Sequence, residues 1–274
     1  MPEGHTIHRA AQDQRPSLVG EVVRASSPQG RFEAGAKALD QARLDGIDAR
    51  GKHLFYRFTT RRGRGRPIVL HVHLGLAGRF RSFKVPPPPP RGAVRLRLVT
   101  SSRVLDLSGP LVCELVSDEA REAVLDRLGP DPLVPNQRAS ALAARLGRTK
   151  IAIGAMLLDQ SVIAGVGNVY RAEILYLARI DPRRPSSSLL PDEVRQLWVI
   201  ARALLRAGVE VGRIVTVDVA IPGIERPGAG APAGRGRHRR VYAYKQPHCR
   251  RCGGLIDHVK LGGRPCYFCP RCQT

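Results

Sequence analysis

No stretch of about 18 consecutive apolar residues occurs in the chain, which excludes a single membrane-crossing helix. The opening, MPEGHTIHR, is charged where a secretory signal is apolar, so the protein is expected in the cytoplasm with no membrane partner. No internal repeat is present. Acidic residues are scarce as well: 23 Asp and Glu stand against 45 Lys and Arg, leaving a formal charge of +22. Most of that excess has no intramolecular partner and calls for a polyanion, of which nucleic acid is the commonest. An arginine-rich surface that only keeps the protein soluble would give the same balance.

What is present divides into two patterns. At 274 residues the chain is long enough for two modest domains. In the first half, LVGEVVRAS, HLFYRFTT, PIVLHVHLGLAGRFRSF and AVRLRLVTSSRVLDLSG alternate apolar and polar residues between Gly and Ser, the signature of a β-sandwich or barrel. The run VPPPPPRG at 85–92 has no ladder donors and reads as an exposed connection. Beyond LGPDPLVPN the period changes. Asn136 is placed to cap a helix in QRASALAARLG, and IAIGAMLLDQSVIA and NVYRAEILYLARI read as helices around the turn Gly165-Val166-Gly167. A further helix starts near Pro191, buries Val194, Leu197, Trp198, Ala201, Leu204 and Leu205, and ends at Gly208. The fold expected is α+β: a mostly strand N-terminal domain, sandwich or barrel (1–131), a helical domain (132–245) and a cysteine-bearing module (246–274). Residues 222–240, rich in Gly, Pro and Arg, are either a linker or a loop that nucleic acid orders.

Cys249, Cys252, Cys269 and Cys272 form C-x2-C-x16-C-x2-C. Two such knuckles complete a closed tetrahedral shell with no open position, so one structural Zn2+ is expected there. Cys113 and Cys266 remain as free thiols. Arg264 lies near the turn between the knuckles, where its planar fork suits phosphate; it reads equally as a solvated charge. His71 and His73 alternate on one strand face and are expected to pack or hydrogen-bond rather than bind metal.

The first residues carry the chemical question. Once Met1 is removed, Pro2 exposes a secondary amine whose ordinary pKa of about 8 leaves part of it neutral near pH 7. Such an amine can attack a sugar carbon and form an iminium. A helix through EGHTIHRAAQ would put its positive end beside the amine and disfavour the ammonium form, and Glu3 could act as acid or base.

The set MPEG, GKHL at 51–54, HLGLAG at 73–78, DQSVIAGVGNVYRAEIL at 159–175 and GGRPCYFCPRC near the end resembles the Fpg/Nei family of bifunctional DNA glycosylases, most of all its actinobacterial endonuclease VIII branch. The likeness runs nearly end to end with the motifs in family order. It implies an N-terminal β-sandwich with flanking helices (1–131), joined to a helix-two-turn-helix domain (132–245) and a zinc finger (246–274), with damaged DNA as partner and the enzyme acting as a monomer at the bacterial nucleoid. By match to the motifs, Pro2 attacks C1′ and Glu3 shuttles protons at the sugar. Lys52 contacts phosphate and gives a proton in β-elimination, while Arg264 serves δ-elimination. Asn168 binds phosphate, and Leu76 is the wedge that fills the gap of the extruded base. For Lys52 a strand-flanking surface charge, for Asn168 a helix cap and for Leu76 a packed turn leucine remain open.

Two departures bear on substrate. Thr6 stands where many members carry a second glutamate, and DLSGPLV at 106–112 lacks the Arg-x-Phe wedge of formamidopyrimidine glycosylases, which favours oxidised pyrimidines. One other class stays open on the same residues, a non-catalytic zinc-containing binder of damaged DNA; a disulfide oxidoreductase using its CxxC pairs is disfavoured, because both pairs fall in one ribbon spacing.

Overall fold

The computed structural model describes residues 2–60, 67–225, 227 and 240–274. They form two compact units: Pro2 with Ile7–Asp126, and Glu3–Thr6 with Arg127–Thr274. Helix α1 (Gly4–Leu18) therefore begins in the second unit and runs on in the first. Among the described residues no helix is long and apolar enough to cross a membrane.

The first unit continues with β1 (Arg24–Ser26), α2 (Glu33–Leu39), β2 (Arg43–Arg50), β3 (His53–Thr59), β4 (Ile68–His73), β5 (Arg79–Lys84), β6 (Val94–Val99), β7 (Arg103–Ser108), β8 (Val112–Val116) and α3 (Asp118–Asp126). Its strands make two antiparallel four-stranded sheets, ordered β1-β6-β7-β5 and β2-β3-β4-β8. Period-two alternation turns Leu54, Tyr56, Phe58, Leu70 and Val72 of one sheet into a common core with Leu96, Leu98, Leu105 and Leu107 of the other. Each fully buried aliphatic side chain is worth about 1.5–3 kcal/mol, so this interface dominates the unit's stability. Across β6 and β7 the buried Arg97 guanidinium grips Asp106 through Nε (2.7 Å) and Nη2 (2.8 Å). Its Nη1 donates to the Pro88 carbonyl (3.1 Å), tying down the proline-rich connection, which lies outside the strands as expected.

Strands appear in three of the four expected segments at full length. LVGEVVRAS shrinks to the three residues of β1, with Val22 making a single bridge to Arg43. Strand β2 carries four charged residues, Arg43, Asp45, Asp48 and Arg50, and a register shift at Leu44/Gly46, which is why its alternation is hidden in RLDGIDAR.

The second unit holds α4 (Ala139–Leu146), α5 (Ile153–Met156), α6 (Asn168–Ala178), α7 (Pro191–Val211) and the ribbon β9 (Asp257–Leu261) with β10 (Arg264–Phe268). Every residue of α6 is buried, so α6 is the centre of this unit. Three helix expectations need correction. Asn136 is not a cap: it sits at φ +63°, and Arg138 precedes α4. Only Ile153–Met156 of IAIGAMLLDQSVIA is helical. There Asp159 turns the chain by accepting from Ser161 N and Oγ, and Gln160 ties Gly165 N to the Val166 carbonyl, so side chains displace helical bonding. Helix α7 passes Gly208 and stops at Gly212, whose φ of +73° suits a left-handed cap. Gly208 is needed for packing instead: a Cβ there would lie 2.1 Å from Tyr170 Oη and 3.0 Å from the His5 ring.

Candidate functional site

In the second unit the start of the chain is fixed by its own carboxylate. Glu3 is 1 % exposed and accepts backbone hydrogen bonds from Gly167 (2.8 Å), Val169 (3.0 Å) and Tyr170 (3.5 Å). These are amides at the N-terminus of α6, where unpaired N–H groups and the helix dipole favour an anion. A Cβ on Gly167 would fall 2.4 Å from Glu3 Cδ, and one on Gly4 2.8 Å from Gly165 Cα. The glycines of GVG therefore admit the terminal segment, which Gly4 N further joins to the Gly165 carbonyl (2.8 Å). Pro2, half-buried, precedes this anchor by one bond. Met1, whose removal would uncover its nitrogen, lies outside the described residues.

Asn168 opens α6 and is buried; its side chain is not a helix cap but donates from Nδ2 to the Pro265 carbonyl (3.1 Å) in the zinc ribbon. Its Oδ1 accepts from Arg171 Nη2, and Arg171 also reaches the carbonyls of Arg264 and Pro265 (both 3.3 Å). The Arg264 side chain is exposed at the head of β10. Glu3, Asn168 and Arg264 are thus linked through α6 and the ribbon. Arg171 was not singled out in the sequence, nor was His5. The latter is 3 % exposed, stands edge-on to Tyr170 (5.3 Å) and is pushed down to about 4 by burial. Thr6 Oγ1 bonds its Nε2 (3.2 Å), so Thr6 serves this buried ring.

In the first unit Lys52, half-buried, occupies the β2–β3 turn and Leu76 the β4–β5 turn. His53 pairs with His73 in register, which places both turns at one end of the sheet. Leu76 is 66 % exposed, so it is not packed on the sheet. Beside it stands Leu111, 71 % exposed, whose N–H donates to the His73 carbonyl (2.9 Å); the sequence reading passed over it. The outer face of this sheet carries a hydrogen-bonded chain. Glu114 can only accept, so His71 donates to it from Nδ1 (3.1 Å) and its Nε2 accepts from His53 Nδ1 (2.9 Å). Burial holds His71 below the ordinary histidine range against the pull of Glu114. His73, lowered by burial and then by the charge of Lys52, takes the Gly75 N–H on Nδ1 (3.1 Å). Only the alternation of His71 and His73 was legible beforehand.

The four cysteines of the ribbon converge: their sulfurs lie within 4.8 Å of one another, with Cys249–Cys272 at 3.8 Å and Cys252–Cys269 at 3.6 Å. A tetrahedral Zn–S length of about 2.3 Å sets sulfurs about 3.8 Å apart, so the donor set fits one structural Zn2+. Around it Tyr176 Oη approaches Cys249 Sγ (3.3 Å), and Gln273 joins Cys269 N to the Ile180 carbonyl (2.8 and 2.9 Å). Of the expected 222–240 loop, residue 226 and residues 228–239 lie outside the described residues. Its flanks are held by Glu173, fully buried, which accepts from Thr216 Oγ1 (2.5 Å) on one side and from the amides of Tyr242, Ala243 and Tyr244 (2.6–2.8 Å) on the other.

Comparison with known proteins follows the same division. Residues 1–110 match the formamidopyrimidine-DNA glycosylase N-terminal domain, 128–219 its H2TH domain, and 248–274 the zinc finger found in FPG and IleRS. Endonuclease 8 1 of Mycobacterium tuberculosis (strain ATCC 25618 / H37Rv) is 42 % identical over the full length of both chains. Formamidopyrimidine-DNA glycosylase of Thermus thermophilus is 32 % identical, covering all of this chain and 98 % of its own. Among solved structures, Lactococcus lactis Fpg in complex with abasic-site DNA shares the fold at a TM-score of 0.79 and 22 % identity, over 99 % of each chain. Three family domains in order, and relatives above 30 % identity from end to end, make this chain a member of the Fpg/Nei family of DNA glycosylases of base excision repair.

Proposed function

We propose that this glycosylase is also a lyase, acting on oxidised pyrimidines and abasic sites through a Schiff base on Pro2. The observation that carries the reading is the Glu3 carboxylate bound to the first amides of α6, because it pins the residue next to Pro2 onto the turn that bears Asn168. The uncapped Pro2 nitrogen bonds to C1′ while the glycosidic electron pair leaves with the base, which takes a proton; ring opening gives the iminium. Loss of a C2′ proton then breaks the C3′–O bond, and loss of a C4′ proton breaks the C5′–O bond. Glu3, held by its three backbone donors beside Pro2, takes and returns protons at the sugar. Lys52 and Asn168 each bind phosphate, Lys52 also supplying the proton for β-elimination. Arg264 serves δ-elimination, and Leu76 fills the gap in the stack. The zinc ion, when bound, supplies structure only. The +22 charge suits a protein working along the nucleoid.

Borohydride trapping tests this on duplexes holding an abasic site or thymine glycol, with removal of Met1 verified by mass. A covalent adduct that disappears when the amine is blocked is expected. Binding without any adduct on either duplex would leave the chain a damage-binding protein and sink the lyase reading.

A further inference from the structure

Among the described residues Arg171 is the largest side chain below 2 % exposure, and it is a cation. Its Nη1 donates to the carbonyls of Gly154 (2.8 Å) and Leu261 (2.9 Å), and its Nη2 to Asn168 Oδ1 and the carbonyls of Arg264 and Pro265. Leu261 and Arg264 are register partners that close the Gly262-Gly263 turn of the ribbon, so one planar group grips both strands at their joining end. Gly154 makes room for this approach: a Cβ there would meet Leu261 Cδ1 at 2.8 Å and the Pro182 carbonyl at 2.9 Å.

Two consequences follow for the residues assigned to phosphate. A guanidinium only donates, so it forces Asn168 to turn its Oδ1 inward and its NH2 outward; the flipped amide would set donors against donors and Oδ1 against the Pro265 carbonyl. One N–H of that amide goes to Pro265, and the amide has one more to give. At the same time the backbone of Arg264 is held within two hydrogen bonds of Asn168. The five acceptors are all uncharged oxygens, so no carboxylate pairs directly with the buried charge, and Glu3 feels it only at longer range.

We infer that Arg171 is a positioning residue: it locks the orientation of the Asn168 amide and the station of Arg264, making the α6 turn and the zinc ribbon a single phosphate-binding unit. This rests on the phosphate roles given above to Asn168 and Arg264. Lysine cannot substitute, because a single ammonium with three donors does not span five acceptors set around a planar fork.

The test uses full-length zinc-loaded protein, wild type against Arg171→Lys and Arg171→Gln, with zinc content and circular dichroism checked first. On abasic-site duplex the two variants should lose about 10–100-fold in the δ-elimination step relative to β-elimination, the scale of a small misplacement of a reacting group. In R171K, Schiff-base trapping should change by less than about threefold, because Arg171 makes no hydrogen bond to Glu3 and lysine keeps the charge that the carboxylate feels. On an uncleavable abasic analogue, R171K keeps the charge, yet the dependence of log K on log salt should lose about one unit as Arg264 leaves its phosphate. An unchanged β-to-δ ratio with an unchanged salt slope in zinc-bound variants overturns the inference. So does loss of zinc or fold in both variants, which would make Arg171 a structural residue only. If wild type gives no adduct but R171K still loses salt slope, the lyase reading fails while the positioning role stands.

Discussion

The two units solve the problem of burying polar groups in opposite ways. In the sandwich the buried charges meet each other: Arg97 and Asp106 pair across neighbouring strands, both buried. In the helical unit the buried charges meet backbone: Glu3 takes three amides, Arg171 four carbonyls and one side-chain amide, and Glu173 three amides and a hydroxyl. The reason lies in secondary structure. Strands satisfy their own backbone in ladders, whereas the long non-repetitive stretches around α5, after α7 and before β9 leave N–H and C=O groups that only a side chain can reach. Asn168 and Arg264, to which phosphate roles are proposed, hang on those side chains, so the proposed chemistry of this unit and its folding share the same atoms.

Zinc removal should break the helical unit most. Structural zinc sites bind with about 10–16 kcal/mol, far beyond the stability of a small ribbon, so chelation or Cys249→Ser should melt residues 248–274 and release Arg264. The expected readout is loss of strand scission by more than about a hundredfold, with the thermal transition of the sandwich retained. A single unshifted transition for both units would contradict the separation between them.

Next in size is a direct contest between the two kinds of buried charge. Arg97→Met should cost about 3–5 kcal/mol by stranding Asp106, and the double change Arg97→Met with Asp106→Leu should recover most of it. Glu173→Gln should cost a similar amount, because an amide nitrogen would face N–H donors, but no second substitution should recover it, since the partners are backbone. Urea titration of the three variants decides the matter. A suppressor of Glu173→Gln at Thr216 alone would show that the side-chain partner, not the backbone, carries the anchor.

The same contrast explains what was legible in advance. Period-two alternation in HLFYRFTT and AVRLRLVTSSRVLDLSG is a direct record of sheet burial, and the cysteine spacing is a direct record of the metal shell. Pro2, Glu3, Lys52, Asn168, Arg264 and Leu76 were found through motifs, because no period marks them. Arg171 and Glu173 left no readable signal: a charge at the fourth or sixth residue of NVYRAEILYLARI looks like the polar face of a helix, and only the burial of α6 on every side shows otherwise. IAIGAMLLDQSVIA misled for the converse reason, its apolar residues being buried by turns rather than by helical period.

A smaller effect should come from His5, which the helical unit buries as a neutral ring. Folding lowers its pKa from the ordinary 6.5 to about 4. The unfolded chain therefore takes up a proton that the folded one refuses. The contribution is whole above pH 6.5 and is lost as the pH falls from there towards about 4, at most about 3 kcal/mol. Stability measured between pH 7 and 4.5 should fall more steeply for wild type than for His5→Gln, and parallel curves would place the ring outside the titrating set.

The smallest changes in stability are expected at the exposed leucines of the sandwich, and there the comparison inverts. Leu76→Ala and Leu111→Ala remove side chains that are 66 % and 71 % exposed, so unfolding should shift by no more than about 0.5 kcal/mol. Any larger effect must appear in DNA. If Leu76 fills the gap beside an extruded nucleotide, losing its contact with an unstacked base step should cost about 1–2 kcal/mol in binding an abasic duplex. Binding to undamaged duplex, which needs no extrusion, should be unaffected. Leu111, seated beside Leu76 on the neighbouring turn, should show the same selectivity at a smaller size, because its N–H bond to His73 holds it to the sheet end. Equal loss on damaged and undamaged duplexes would mean that these leucines only lie along the strand and take no part in filling the gap.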